Sequence, residues 1–157
     1  MNRGFYIIMA AQFFSALADN ALLIAAISML RDIQSPAQYE PLLKLFFTVS
    51  YVALAAFVGA FADSMAKGRV MLISNTIKIA GCFMMLVATV PMLDLLGIPL
   101  YYYVLLSYAI VGLGAAAYSP AKYGILTEYL PHDKLVIANG WIEGLTVAAI
   151  ILGTVLG

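Results

Sequence analysis

Apolar residues fill five stretches of the chain almost without interruption, at about Phe5–Leu30, Leu42–Ala62, Val70–Leu96, Leu100–Tyr118 and Leu135–Gly157. Each is close to the roughly 20 residues an α-helix needs to cross the hydrocarbon core of a bilayer. The segments between them are short and polar or Pro-bearing: "RDIQSPAQYEP", "DSMAKGR", "GIP" and "SPAKYGILTEYLPHDK". A backbone in lipid must satisfy its own hydrogen bonds, which a helix does within one segment. The pattern therefore predicts an all-α membrane protein with five transmembrane helices.

Composition agrees. Of 157 residues, 64% are hydrophobic and only 10% charged, where a soluble domain averages about 25% charged. The first run has a rival reading as a signal peptide, with Arg3 ahead of it and Ala16-Leu17-Ala18 as a cleavage site. The run resumes after Asn20 and continues to Leu30, longer than the roughly 7–15 residues of a signal core, so a retained span fits better. The last run stops at "ILGTVLG" with no charged flank, and the chain is expected to be part of a longer one.

Eight basic and eight acidic residues balance to a formal net charge of zero, which gives no reason to expect a nucleic-acid partner. Cys82 is the one cysteine and His132 the one histidine, the latter in the loop "LPHDK". No metal-ligand cluster and no phosphate-cradling glycine loop stands out, so neither a cofactor, a metal nor an enzymatic role is expected. Orientation follows from Lys and Arg in the short flanks. With the N-terminus in the cytoplasm, the inner flanks hold Arg3, Lys67, Arg69, Lys122 and Lys134, and the outer flanks Arg31 and Lys44.

Three runs carry a charge deep within them: Asp19, Lys78 and Glu143. A charge at the bilayer centre costs about 2.5–3.5 kcal/mol on insertion scales, and such residues usually face a cavity or a partner. Each has polar company at helical spacing, hence on one face: Gln12 and Ser15 with Asp19, Asn75 with Lys78, Asn139 and Thr146 with Glu143. Lys78 and Glu143 each lie eight residues past the start of their runs, about 12 Å along a helix, and are expected either to pair or to leave Lys78 snorkelling to the surface alone. Asp19 is expected to face a hydrated cavity. Small residues spaced by four mark where helices approach closely: Gly140, Gly144 and Ala148; Ala55 and Gly59; Gly112 and Ala116. Pro120 is expected to end or kink the fourth helix. Asp63 sits at the helix end that disfavours a carboxylate, and Lys67 and Arg69 at the end that disfavours cations, which points to partners beyond their own helices.

At "GAFADSMAKGR" the sequence resembles the major facilitator superfamily. Gly59, Asp63, Lys67 and Arg69 fit that family's signature between its second and third helices, with Ser64 where an arginine and Ala66 where a glycine are usual. "FFSALADNALL", "VGLGAAAYSPAKYGIL" and "LVIANGWIEG" are similar to the bacterial lysophospholipid transporters of that superfamily. The resemblance implies most of an N-terminal six-helix half of a twelve-helix transporter, the C-terminal half being the missing partner. It implies alternating access around a central cavity lined by helices one and four, and passage of lysophospholipids such as lysophosphatidylethanolamine from the outer to the inner leaflet of the bacterial inner membrane. It also implies contact with membrane lipids and a functional link to an acyltransferase, and it makes Gly59, Asp63, Lys67 and Arg69 a conformational gate. Within that frame Gln12, Asp19 and Asn20 suit an ethanolamine ammonium, and Lys122 suits a phosphate or simply sets topology. Asn139 and Glu143 complete the expected substrate-binding set. Three other readings stay open: a transporter of a drug or sugar, the membrane domain of a lipid-modifying enzyme, and a half-transporter that closes its cavity with a second copy.

Overall fold

The computed structural model describes residues 2–90 and 96–157. Five helices account for most of them: α1 (Arg3–Asp32), α2 (Tyr39–Asp63), α3 (Lys67–Val87), α4 (Leu100–Tyr129) and α5 (Leu135–Leu156), with a 3-10 turn at His132–Lys134 before α5. All five are long and apolar enough to cross a membrane. The turns alternate their direction, so one end of the bundle holds the N-terminus, the α2–α3 turn and the α4–α5 turn. We call this the hinge end.

Local chemistry sets the boundaries. The Asn2 side chain accepts from the Phe5 N–H at 3.2 Å and caps α1. At its other end Gln34 turns to φ +53°, while Ser35 N–H bonds to Leu30 O and Gln34 N–H to Arg31 O. These two bonds close the helix in a Schellman turn. Arg31 then grips Glu40 with two hydrogen bonds of 2.9 and 3.1 Å across the α1–α2 turn.

Two sequence expectations need correction here. The fourth helix does not end at Tyr118 but runs to Tyr129, straight through Pro120. Proline removes one donor, so one turn loses one bond, whereas Ala121, Ile125 and Leu126 beyond it are buried and hold the helix to its neighbours. The third helix, expected to reach Leu96, stops at Val87 and is followed by turn residues; the part of that expectation at residues 91–95 lies outside the described residues.

The helices pack as two groups. α4 is the centre of the first, with α2 on one side and α3 on the other, while α1 and α5 form the second. Glycines set the closest approaches. A Cβ on Gly114 would lie 2.7 Å from both Ser74 O and Lys78 Cγ, and one on Gly81 2.9 Å from Ser107 O, so α3 and α4 touch backbone to backbone. Gly153 does the same for α5 on α1, against Leu17 O at 2.6 Å. Of the predicted small-residue patterns, Gly112 packs as expected, against Phe47 of α2 at 3.1 Å. A Cβ on Gly59, Gly140 or Gly144 would meet nothing within 4 Å among the described residues.

Two apolar layers result. At the hinge end Phe5, Ile8, Met9, Ala62, Val70, Tyr118, Ile125, Leu126 and Ile142 bring all five helices together. At the far end Ala26, Leu30, Leu43, Met85, Val104, Leu105 and Tyr108 join α1, α2, α3 and α4. Ser15, Asp19, Asn75 and Lys78 lie between these layers along α1 and α3.

Candidate functional site

Asp19 stands in the middle of α1, one turn beyond Ser15 and two beyond Gln12, so the three share a face. Lys78 reaches them from the middle of α3. Its Nζ donates to Asp19 Oδ2 at 2.6 Å and to Ser15 Oγ at 2.9 Å. Ser15 in turn donates to Asn75 Oδ1 at 3.2 Å. The Lys78 ammonium also sits 5.0 Å from the centre of the Tyr118 ring, within reach of a cation–π attraction. Lys78 is thus held by a carboxylate, a hydroxyl and an aromatic face, which is how a cation at this depth is accommodated.

This arrangement corrects two readings of Lys78. It does not pair with Glu143, because α3 packs on α4 whereas α5 packs on α1. Nor does it snorkel to the surface, since its side chain is 9% exposed and points inward. Glu143 instead accepts from the Tyr123 hydroxyl at 2.6 Å, across the α4–α5 gap.

Beside the Asp19–Lys78 pair lies an open cleft of about 400 Å³. Its walls include Gln12, Ser15, Asp19 and Asn20 from α1, Lys44, Thr48 and Tyr51 from α2, Lys78 from α3, Tyr108, Tyr118 and Lys122 from α4, and Thr146 and Ile150 from α5. A side pocket of about 330 Å³ between α1 and α3 also touches Asp19 and Lys78, together with Phe14, Ile79 and Cys82. The ion pair is therefore part of the partition between the two spaces. Asp19 meets the expectation of a cavity-facing acid, but it is paired as well as facing space.

Toward the hinge end Lys122 is fixed by α5, donating to Thr146 Oγ1 at 3.0 Å, and its ammonium lies 5.2 Å from the Tyr123 ring centre. Gln12 donates through Nε2 to the Lys122 backbone carbonyl at 3.3 Å, which leaves its Oε1 buried with no partner among the described residues. The Tyr118 hydroxyl is likewise buried and unpartnered among them. Asn20 bonds within its own helix, to Ala16 O at 2.9 Å.

Of the residues expected from the sequence, Gln12, Asp19, Asn20 and Lys122 share the cleft. Asn139 and Glu143 are exposed and outside its walls, and Thr146 is the α5 polar residue that enters it. Sequence reasoning missed Lys44, Thr48 and Tyr51, although their i, i+4, i+7 spacing places three polar residues on one face of an otherwise apolar helix.

The α2–α3 turn is a separate cluster. Lys67 Nζ donates to Asp63 Oδ1 at 2.6 Å and to Ala62 O at 2.9 Å. Of the three residues expected to have partners beyond their own helices, Asp63 and Lys67 find each other: a lysine from the start of α3 places its charge at the C-terminus of α2, where a cation is favourable. Its stem also covers Gly124 of α4, whose Cβ would lie 3.0 Å from Lys67 Cε. Arg69 and Gly59 are exposed.

The comparisons with known proteins fit this picture. The profile of the Major Facilitator Superfamily matches residues 8–157, and the chain belongs to that family. It is similar to the lysophospholipid transporter LplT of Yersinia enterocolitica, with 45% identity over all 157 residues, and to that of Yersinia pestis, with 43% identity over the same length. The chain spans 36% of the length of each of these relatives. No solved structure matches. Family membership and five helices long and apolar enough to cross a membrane together define a multi-pass membrane fold for the described residues.

Proposed function

We propose that this chain is the N-terminal portion of a transporter that flips lysophospholipids from the outer to the inner leaflet of the bacterial inner membrane by alternating access, with its N-terminus in the cytoplasm. One observation carries the reading. A cleft at mid-membrane depth presents one acid, Asp19, and three cations, Lys44, Lys78 and Lys122, while apolar helix faces surround it. A single-chain phospholipid has the matching chemistry: a headgroup with an ammonium and a phosphodiester, and one tail for the apolar surface. Asp19 and Asn20 would receive the ammonium. Lys122, a point charge with donors to spare, would receive the phosphate. Asp19 would exchange Lys78 for the incoming ammonium, and the displaced Lys78 would keep the Ser15 hydroxyl and the Tyr118 ring as its contacts.

The rest of the transporter would close the cleft as a second half. Gly59, Asp63 and Arg69 are open on the hinge end and available to it, and there they would act as a gate together with Lys67. Asn139 and Glu143 lie on an exposed strip of α5 and would join the substrate path only when that half is in place. An acyltransferase that restores the missing chain would consume the product. The names of the relatives support this substrate class.

The test is reconstitution of the full-length protein in liposomes, offering lysophosphatidylethanolamine, a sugar and a cationic drug in parallel. Saturable movement of the lysolipid alone is expected. Movement of the sugar or the drug in its place would overturn the assignment.

A further inference from the structure

The cleft holds one carboxylate, Asp19, against three ammonium groups, Lys44, Lys78 and Lys122. Lys78 is neutralised by Asp19. Lys122 meets only the Thr146 hydroxyl and an aromatic ring. Lys44 has no hydrogen-bonding or ionic partner among the described residues. Lys44 and Lys122 thus stand in the wall without a salt-bridged carboxylate among the described residues, and they stand at opposite ends. Lys122 is seven residues from the hinge end of α4, and Lys44 is five residues from the far end of α2.

Lys44 is not alone. Thr48 and Tyr51 follow at i+4 and i+7 and also line the cleft. At 1.5 Å per residue the three step from about 7 Å to about 18 Å into the membrane from the start of α2. The adjoining face of α2 is turned to α4, with Leu43 fully buried and Phe47 against Gly112. Leu45, Phe46, Val49 and Val52 on the remaining side are exposed and apolar. The polar stripe is thus aimed at the cleft. Many hydroxyls elsewhere in these helices bond to the carbonyl one turn back, as Ser74, Thr76, Ser107, Thr146 and Thr154 do. Thr48 makes no such bond, and the Tyr51 hydroxyl has no partner among the described residues. The stripe holds one cation and two hydroxyl donors with nothing to bond.

We infer that Lys44, Thr48 and Tyr51 form an outer anion station, the first stop for the phosphodiester of the lysophospholipid before it moves inward to Lys122. The assignment rests on the transport reading above and adds a second phosphate position with its own residues. Lys44 lies at the open rim, where a charge acts mainly on capture and its salt dependence. Thr48 and Tyr51 then hand the phosphate oxygens donors on the way down. The path between the two cations is thereby divided by the hydroxyls of the stripe.

The experiment uses the full-length transporter in liposomes and follows initial inward flipping of lysophosphatidylethanolamine over a range of mole fractions. Lys44→Gln is expected to raise the half-saturating mole fraction about threefold to fivefold, the scale of an exposed ion pair, and to leave the maximal rate within about twofold. Lys44→Arg should restore it. An alkylphosphocholine should lose inhibitory potency against Lys44→Gln by the same factor, while an alkyl maltoside of equal tail length keeps its potency. An unchanged half-saturation, or equal loss for both inhibitors, overturns the station while normal wild-type flipping leaves the transport reading standing. Absence of lysolipid flipping by the wild-type protein overturns the transport reading itself, and the station with it.

Discussion

Asp19 of α1 and Lys78 of α3 meet at 2.6 Å near the middle of the bundle, and both side chains border the cleft. Few apolar contacts join these two helices directly; their meeting is chiefly through this pair and the Ser15–Asn75 bond beside it. Removing one partner leaves a charge with no counterpart in a poorly solvated site. Lys78→Met or Asp19→Asn alone is expected to lower stability by about 3 kcal/mol, and the double substitution to recover to within about 1 kcal/mol of the parent. Thermal unfolding in detergent across the four-member cycle reads this directly. Additive losses in the double variant would show that the pair contributes no coupling.

The α3–α4 interface predicts a sharp positional contrast. Gly114→Leu must push past Ser74 O and Lys78, both at 2.7 Å from the first added carbon. A loss of at least about 3 kcal/mol is expected, because backbone atoms cannot step aside. Gly68→Ala, in the first turn of α3 with nothing within 4 Å, should be neutral or stabilising by up to about 1 kcal/mol, since alanine is the better helix former. Unfolding midpoints of the two variants make the comparison.

At the α2–α3 turn, Asp63 is 79% exposed and Lys67 16%. Screening by water keeps the value of such a pair small, so Asp63→Asn should cost less than about 1 kcal/mol. Lys67→Ala should cost more, because it also loses the cap on Ala62 O and the cover over Gly124. If Asp63 acts as a gate, Asn at that position will depress transport in the full-length protein while its unfolding midpoint stays near the parent value. Equal effects on both would assign it to the turn alone.

Accessibility to water distinguishes the cleft from the lipid face. In a Cys82→Ser background, single cysteines at Asn20 and Thr48 are expected to react with a charged, membrane-impermeant thiol reagent, since both positions line the cleft. Cysteines at Phe83 and Val155, exposed on apolar surface, should react only with a membrane-permeant reagent. Labelling followed by mass shift gives the answer, and an inert cysteine at both cleft positions would argue for a dry interior.

Much of this was legible in the sequence. Length and hydropathy alone locate five helices, because lipid dictates both. Asp19 announces a cavity because an acid at that depth needs water or a counter-charge beside it, and here it has both an open space and Lys78. The partner of Lys78 was not legible: counting rise from each helix start pairs it with Glu143, but depth does not say which helices touch, and a four-carbon stem spans the offset to Asp19. The extent of α4 was obscured by Pro120, since a residue that lacks one donor is easily mistaken for a stop. Gly81 and Gly114 stand in no small-residue pattern of period four, and on α5 the series Ala149, Gly153 and Gly157, which packs against α1, was passed over for Gly140 and Gly144. The α2 stripe was visible in principle, but Lys44 lies near a helix end and was counted for topology only.

The polar layer joins the α1–α5 pair to the α2–α3–α4 group through Asp19–Lys78, Gln12–Lys122, Lys122–Thr146 and Tyr123–Glu143. A greasy joint that slides must first tear open a void. A joint made of hydrogen bonds can trade each partner for water or for a headgroup and slip without emptying any space. Between the two apolar layers, the two groups of helices are thus joined by contacts that a charged guest can replace one at a time.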